Sequence, residues 1–427
     1  MRIGIKVLGC PKNTADCEIL AGVLKSRGHT VVSNVEDADA VIIDTCVFIE
    51  DAKRETIDTI MDFVNYKVSR RPDLKILVKG CMVQRYYREL KEEIPEVDAW
   101  LGVLPPEKIA DAVEYLEDSV GDPDPIYRYT ARSDLDERPY SYVKIADGCD
   151  RNCTFCAIPL FKGRYRSRDP EDVESEVRDL ISSGKKEIIL VSQDSTAYGS
   201  DVGTDLPSLL KRLNSIKGDF WIRVMYLHPD HISEEILESM VHLEKVLPYF
   251  DIPFQHGSDA VLSRMGRIKR SSELMKLVNR IRLMSAESTI RTTVMVGFPG
   301  EREEDFQKLI EFLEDVHPDR MGVFVYSDEE GTVASGFRDK VPREIAIERE
   351  EVVTELVLEY TQESNERWIG KVIEVLVDEP GIGRGWMDAP EIDTVVFLDR
   401  GTDVGSVVGV KIVDLEDIDM KGKVVYG

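Results

Sequence analysis

The segment GCDRNCTFCAIP (148–159) follows directly on an apolar run, SYVKIAD (141–147), and carries three of the seven cysteines of the chain. The apolar run predicts a strand, so these cysteines lie in the loop at its carboxyl end. In a parallel barrel that end is the rim where active sites collect. The three residues are Cys149, Cys153 and Cys156. This stretch therefore predicts the central fold and its active site together.

The spacing C-x-x-x-C-x-x-C supplies three thiols without a fourth ligand nearby. Structural zinc sites are closed by four ligands, usually from two paired knuckles. No second C-x-x-C follows this one, and His228 is far away in the sequence. An iron–sulfur cubane held by three thiolates keeps one iron open for a small molecule. The spacing favours such a cluster, with zinc binding and simple burial as the alternatives.

Length and composition place the chain among soluble, multidomain proteins. Its 427 residues are too many for one ordinary core and predict two or three domains. The sequence has no pattern of a signal peptide or a membrane span, so we expect a cytoplasmic protein without a membrane partner. Seven cysteines, all within the first 156 residues, argue against a secreted disulfide framework.

The chain is strongly acidic, with a formal net charge of −26. Such a surface repels nucleic-acid phosphates, because non-specific affinity for nucleic acid depends on Lys and Arg. Solubility alone explains the charge, and so does a basic protein partner. Both interpretations stay open at this point.

The first 120 residues predict a doubly wound parallel sheet. Three nearly continuous apolar runs, at 3–10, 40–46 and 74–81, are typical of strands that are buried on both faces. Helical patterns at 14–28 and 49–67 separate these strands, and the connections are short. Alternating strands and helices with short connections favour a βαβ arrangement.

The rest of the chain predicts a linker (121–139), a barrel-like domain (140–342), a long amphipathic helix (343–368) and a small C-terminal β-barrel (369–427). Six βα units fall short of the eight that close a barrel, so we expect an open, partial (β/α)6 barrel. The six predicted strands are SYVKIAD, KEIILVSQD, WIRVMYLHP, PYFDIPFQH, TIRTTVMVGFPG and MGVFVYS.

A second set of three cysteines is spread over the first domain. Cys10, Cys46 and Cys81 each close one of its three apolar runs. The carboxyl ends of parallel strands meet at one edge of the sheet, where ligands bind. We therefore expect these thiols to converge on a second cluster, with three unrelated buried cysteines as the alternative. Cys17 lies within a helical pattern beside apolar residues and is predicted to belong to the core.

The cysteine loop resembles that of the radical S-adenosylmethionine (SAM) enzymes, in which an aromatic residue, here Phe155, precedes the last cysteine. The resemblance implies that the open iron binds the amino and carboxylate groups of SAM. It also implies that one electron from the cluster cleaves SAM into methionine and a radical that abstracts hydrogen from carbon.

The order of domains is similar to that of the methylthiotransferases, with a TRAM domain at the carboxyl end, over essentially the whole chain. The shared motifs are GCPKN (9–13), DTC (44–46), GC (80–81), FKGRYRSR (161–168), PFQHGSDAVLSRMGR (253–267), TTVMVGFPGE (292–301) and YSDEEGTVAS (326–335). The resemblance implies two [4Fe-4S] clusters and replacement of a C–H bond by C–SCH3. One SAM supplies the methyl group, another supplies the radical, and the auxiliary cluster carries the sulfur.

Two branches of this family differ in substrate. One modifies an adenosine of tRNA; the other modifies the β-carbon of an aspartate in protein twelve of the small ribosomal subunit. Residues 365–427 contain 7 Lys and Arg against 13 Asp and Glu, which suits a basic ribosomal protein better than tRNA. Three short segments also resemble the ribosomal-protein branch: DTCVFIEDAKRE, QHGSD and EEGT. A third hypothesis is a non-catalytic two-cluster protein that carries electrons or binds ribosomes.

The resemblance and the strand ends together indicate a SAM pocket, without a catalytic side chain being assigned. Gln193 and Asp194 end the second barrel strand, on the rim where the superfamily binds the SAM amino group, although the usual Gly-Gly-Glu is missing. The candidate residues are Phe155, Gln193, Asp194, Gln255, His256, Arg291 and Gly297. A buried hydrogen-bonding histidine and a plain turn are the alternatives for His256 and Gly297. The predicted electron donor is flavodoxin or ferredoxin.

Overall fold

The N-terminal part of the computed structural model, which describes residues 1–426, is a five-stranded parallel sheet with helices on both faces. Its strand order is β2-β1-β3-β4-β5. The elements are β1 (Arg2–Val7), α1 (Pro11–Ser26), β2 (Thr30–Val32), β3 (Ala40–Thr45), α2 (Glu50–Ser69), β4 (Lys75–Gly80), α3 (Cys81–Glu93), β5 (Ala99–Leu101) and α4 (Pro106–Tyr115). The edge strands β2 and β5 have three residues each, too few to give a periodic signal in the sequence.

Alternation along the central strands divides the apolar side chains between two cores. Val41 and Ile43 face the core on the side of α2 and α3. Ala40 and Ile42 face the opposite core, with α1 and α4. Both faces of the sheet are thus covered, as the continuous apolar runs predict.

Residues 121–139 contain neither helix nor strand but are held by buried ion pairs. Arg132 pairs with Glu18 of α1 and, at 2.5 Å, with Glu176 of a helix of the next domain. The backbone N–H of Ser133 also donates to the carbonyl of Glu18 at 3.0 Å. This linker therefore fixes the N-terminal sheet against the barrel.

The central part is an open barrel of six parallel strands, which form two halves with the orders β10-β9-β6 and β11-β12-β13. One parallel bridge, between Ile222 and Val246, connects the two halves. Its strands are β6 (Tyr140–Lys144), β9 (Glu187–Val191), β10 (Trp221–Val224), β11 (Tyr249–Asp251), β12 (Thr289–Val296) and β13 (Arg320–Val325). The helices are α5 (Ile158–Lys162), α6 (Pro170–Ser182), α7 (Leu206–Asn214), α8 (Glu234–His242), α9 (Asp259–Arg264), α10 (Ser271–Met284) and α11 (Glu303–Val316). A small hairpin pairs β7 (Ala146–Asp147) with β8 (Arg166–Ser167).

Helix α12 (Arg343–Glu366) follows, and its Val353 and Tyr360 join the core of the barrel. The C-terminal part is a closed five-stranded barrel in the order β14-β15-β16-β18-β17. Its strands are β14 (Val372–Glu379), β15 (Ile382–Gly385), β16 (Val396–Leu398), β17 (Val407–Glu416) and β18 (Asp419–Tyr426). Among residues 1–426, no helix is both long and apolar enough to cross a membrane.

The loop between β15 and β16 (386–395) packs against the amino ends of the large barrel's strands. Buried charges join the two parts: Glu187 of β9 pairs with Arg223 at 2.6 Å and with Arg384 of β15 at 2.9 Å. On β13, Arg320 pairs with Asp388 at 2.7 Å. The C-terminal barrel thus closes the end opposite the rim that bears the cysteine loop.

Candidate functional site

Three cysteines of the N-terminal sheet line one cavity of about 430 Å³. Cys10 precedes α1, Cys46 follows β3, and Cys81 begins α3. Burial, together with smaller contributions from the nearby Cys10 and Cys46, raises the pKa of Cys81 to about 12. The thiols therefore lie within electrostatic range of one another, at the sheet edge that the sequence indicates.

The facing wall of this cavity comes from the rim of the large barrel. Ser192, Gln193 and Tyr226 line it there, together with Phe161 and Lys162 of α5. We call this space the inter-domain cavity. Its position brings the first set of thiols opposite the barrel end that carries the second set.

The second set lies in the loop between β7 and α5. This loop is compact, because the N–H of Cys149 donates to Gly163 at 3.2 Å and that of Cys156 donates to Cys153 at 3.1 Å. Burial raises the pKa of Cys149 to about 11 and of Cys156 to about 12, with Cys153 contributing to both. Metal binding would favour the thiolate forms of Cys149 and Cys156 in spite of their raised pKa values, because the ligands of a metal are deprotonated.

The donor sets fit iron–sulfur clusters. Each set consists of three thiols, the ligands that iron–sulfur clusters use. Within residues 1–426, no three His, Cys, Asp or Glu side chains are arranged to hold a single metal ion. The chemistry of the donors therefore suits iron–sulfur clusters.

The predicted SAM-pocket residues on the second strand lie next to the cysteine loop. Gln193 lines the inter-domain cavity and its amide donates to Asp147 at 2.6 Å. Asp194 is buried and accepts from Arg151, a residue of the cysteine loop, at 2.6 Å. The loop is thereby attached to the barrel rim on both sides of its first cysteine.

Packing contacts describe two further candidates, Phe155 of the cysteine loop and Gly297, which follows β12. Phe155 packs against an apolar cluster that includes Met265 and Phe298. Gly297 has a φ of +74°, and a Cβ there would come within 2.5 Å of Ala346 in α12. The packing of α12 is by itself enough to require glycine at this position, so its part in a SAM pocket stays a prediction.

The remaining candidates lie deeper. His256 is fully buried; its Nδ1 accepts from the N–H of Ser258 at 2.8 Å, and burial lowers its pKa to about 3. The preceding Gln255 has a φ of +74°. Arg291 pairs with Asp251 at 3.0 Å and with Asp393 of the C-terminal barrel at 3.4 Å. The contacts of His256 are those of a buried, hydrogen-bonded histidine. A part in SAM binding stays a prediction for His256, Gln255 and Arg291.

Sequence reasoning missed several charged and aromatic residues of the inter-domain cavity, above all Lys12, Lys162 and Tyr226. The sequence contained a signal for Lys12 as a cavity residue, because Lys12 follows by two residues Cys10, which closes a predicted strand. Nothing in the sequence marks Tyr226, which adopts a φ of +63°. His228 was set aside as distant in sequence, yet its Nε2 lies 3.9 Å from the sulfur of Cys153.

A partial parallel barrel with three thiols in the loop after its first strands defines a radical SAM enzyme. Family models match the chain as the Radical SAM superfamily over residues 143–313, the uncharacterized protein family UPF0004 over 2–102 and the TRAM domain over 369–425. The fold is similar to that of the radical SAM methyltransferase TsrM from Kitasatospora setae, with a TM-score of 0.56 and 15% identity over 76% of this chain and 75% of that one.

Relatives of similar sequence indicate which family of radical SAM enzymes this chain belongs to. The ribosomal protein uS12 methylthiotransferase RimO of Thermotoga maritima is 55% identical over 100% of both chains. RimO of Thermosipho africanus is 50% identical over the same shares, and RimO of Petrotoga mobilis is 45% identical over 98% of each. The chain therefore belongs to the RimO family of methylthiotransferases. The predicted resemblance and fold class are confirmed, and these relatives do not favour the tRNA-modifying and non-catalytic alternatives.

Proposed function

We propose that this enzyme adds a methylthio group to the β-carbon of an aspartate in ribosomal protein uS12. The observation that carries the proposal is the placement of two three-thiol sets at the junction of sheet and barrel, one of them lining a cavity whose far wall is the barrel rim. A reaction that joins a carbon radical to a sulfur donor needs both components close together. We place it in the cytoplasm, where ribosomes are.

Cys149, Cys153 and Cys156 would hold the SAM-binding [4Fe-4S] cluster, and Cys10, Cys46 and Cys81 would hold the auxiliary one. When bound, the first cluster supplies the electron for SAM cleavage, and the second supplies the sulfur. The protein's own part is positional: Arg151 and Asp194 hold the cysteine loop against the rim. Gln193 reaches the same loop through Asp147, which is buried.

Charge and family together support a basic protein substrate. The net charge of −26 and the acidic C-terminal barrel suit a ribosomal protein rich in Lys and Arg. Relatives at 45–55% identity carry uS12 in their names. Flavodoxin or ferredoxin is our proposed electron donor.

The test is anaerobic incubation with SAM and dithionite, using uS12, intact ribosomes or tRNA as substrate. We expect 5′-deoxyadenosine in the reaction and a methylthio group on uS12 by mass spectrometry. Cys153→Ala should abolish 5′-deoxyadenosine, whereas Cys46→Ala should keep it and lose methylthio transfer. Each variant should lose about half of the iron, because each removes one of two clusters of equal size.

Cys17→Ala is the matched control. Cys17 is fully buried in α1, donates to Asp44 at 3.2 Å and does not line the inter-domain cavity. This variant should keep all of its iron and both activities. Methylthio transfer to tRNA in place of uS12, or loss of all iron in either cluster variant, would contradict the proposal.

A further inference from the structure

The inter-domain cavity contains a buried lysine that has no carboxylate partner. Lys12 is 8% exposed and lines the wall that also bears Cys10. Its ammonium donates to the carbonyl of Ser192 at 3.3 Å. Among the residues that the structure describes, no carboxylate oxygen lies within the 4.0 Å of an ion pair from this nitrogen.

The other buried lysines around this cavity are paired. Lys79 lies 2.8 Å from Asp44, and Lys144 and Lys162 lie 3.1 and 3.2 Å from Asp147. A second carboxylate, Asp16, is 2.5 Å from Lys144. These two carboxylates form ion pairs with Lys144 and Lys162, whereas Asp147 attracts Lys12 only from beyond ion-pair distance.

An ammonium without an ion-pair partner is costly to bury, because the desolvation of a charge is unfavourable unless a partner offsets it. The fold nevertheless holds Lys12 in place. The side-chain nitrogen of Lys12 lies 4.7 Å from the ring centre of Tyr226, which also lines the cavity. Tyr226 itself has a φ of +63°. Two hydrogen bonds of 2.9 Å hold its backbone: its N–H donates to Asp251, and its carbonyl accepts from the N–H of Ser195.

We propose that Lys12 binds the side-chain carboxylate of the substrate aspartate and so selects it. This inference rests on the proposed function. The carbon that reacts, the β-carbon, is bonded directly to that carboxylate. A carboxylate anchored two residues from Cys10 therefore places the β-carbon at the auxiliary thiols, where sulfur is supplied, and opposite the rim.

The experiment compares uS12 with a uS12 variant in which the target aspartate is asparagine. Binding to the anaerobic, cluster-loaded enzyme is measured by calorimetry. Wild type should prefer the aspartate form about tenfold or more, because a charge-assisted hydrogen bond contributes roughly 1.5–3 kcal/mol. Lys12→Met should bind both forms equally, and Lys12→Arg should keep the preference.

Lys6→Met is the control, since Lys6 is an exposed lysine on β1. It should leave the preference unchanged. Lys12→Met should also melt no lower than wild type, because it removes an unpaired buried charge. An unchanged aspartate preference in Lys12→Met would overturn the proposal. Failure of wild type to modify uS12 at all would instead refute the proposed function.

Discussion

Glu329→Gln should loosen the junction between the N-terminal sheet and the barrel. Glu329 lies in the loop after β13 and is 3% exposed. It forms an ion pair with Lys53 of α2 and accepts a hydrogen bond from Arg85 of α3, each at 2.8 Å. The same loop reaches the cysteine loop, because the N–H of Ala334 donates to the carbonyl of Thr154 at 2.8 Å. One carboxylate thus connects both thiol-bearing parts.

The expected cost follows from what remains after the change. Glutamine leaves the buried Arg85 without its counter-charge and Lys53 with only the exposed Glu50 at 3.5 Å. Breaking a buried ion pair from one side costs about 3–5 kcal/mol. Because glutamine still accepts hydrogen bonds, we expect the lower end, about 3 kcal/mol. If this energy opens the junction, its open population rises roughly a hundredfold.

Hydrogen exchange followed by mass spectrometry measures this opening in residues 326–335 and in α3. Glu330→Gln is the matched control, since the side chain of Glu330 is exposed and only its carbonyl accepts from Arg85. The control should change stability by no more than about 0.5 kcal/mol. Equal exchange rates in the two variants would refute the reasoning. In activity assays, Glu329→Gln should form more 5′-deoxyadenosine per methylthio group transferred.

Two further predictions concern stability and cluster binding. Burial raises the pKa of Glu187, but its two arginine partners outweigh burial and hold this pKa below the usual value of a glutamate. The stabilisation is therefore present at neutral pH and is lost as the pH falls from that usual value through the lowered pKa. Glu187→Gln should lower the free energy of unfolding in urea by about 3–5 kcal/mol at pH 7 and by less in acid; an equal loss at both would contradict it. Gly9→Ala places a Cβ 2.8 Å from that of Cys46, at a φ of +93°, and should lose auxiliary iron. Gly28→Ala, at +85° with no neighbour within 4 Å, should keep it, and equal iron in both would refute this.

Local patterns were sufficient for the fold class and for grouping the cysteines. The runs at 40–46 and 74–81 became β3 and β4 because their residues are buried on both faces. Parallel strands end at one edge, so Cys10, Cys46 and Cys81 were expected together, and they line one cavity. The short strands β2 and β5 escaped prediction, since three residues carry no period.

The sequence by itself determined the three-part architecture, the two thiol sets and the family, because these depend on periodicity, spacing and strand direction within short stretches. Only the tertiary structure decided which charges are neutralised. Arg291 meets Asp393 from the C-terminal barrel, Glu329 meets Arg85 from α3, and Lys12 meets no carboxylate. Such pairings join residues up to hundreds of positions apart, and electrostatic energy depends on distance in space and burial, which no local pattern records.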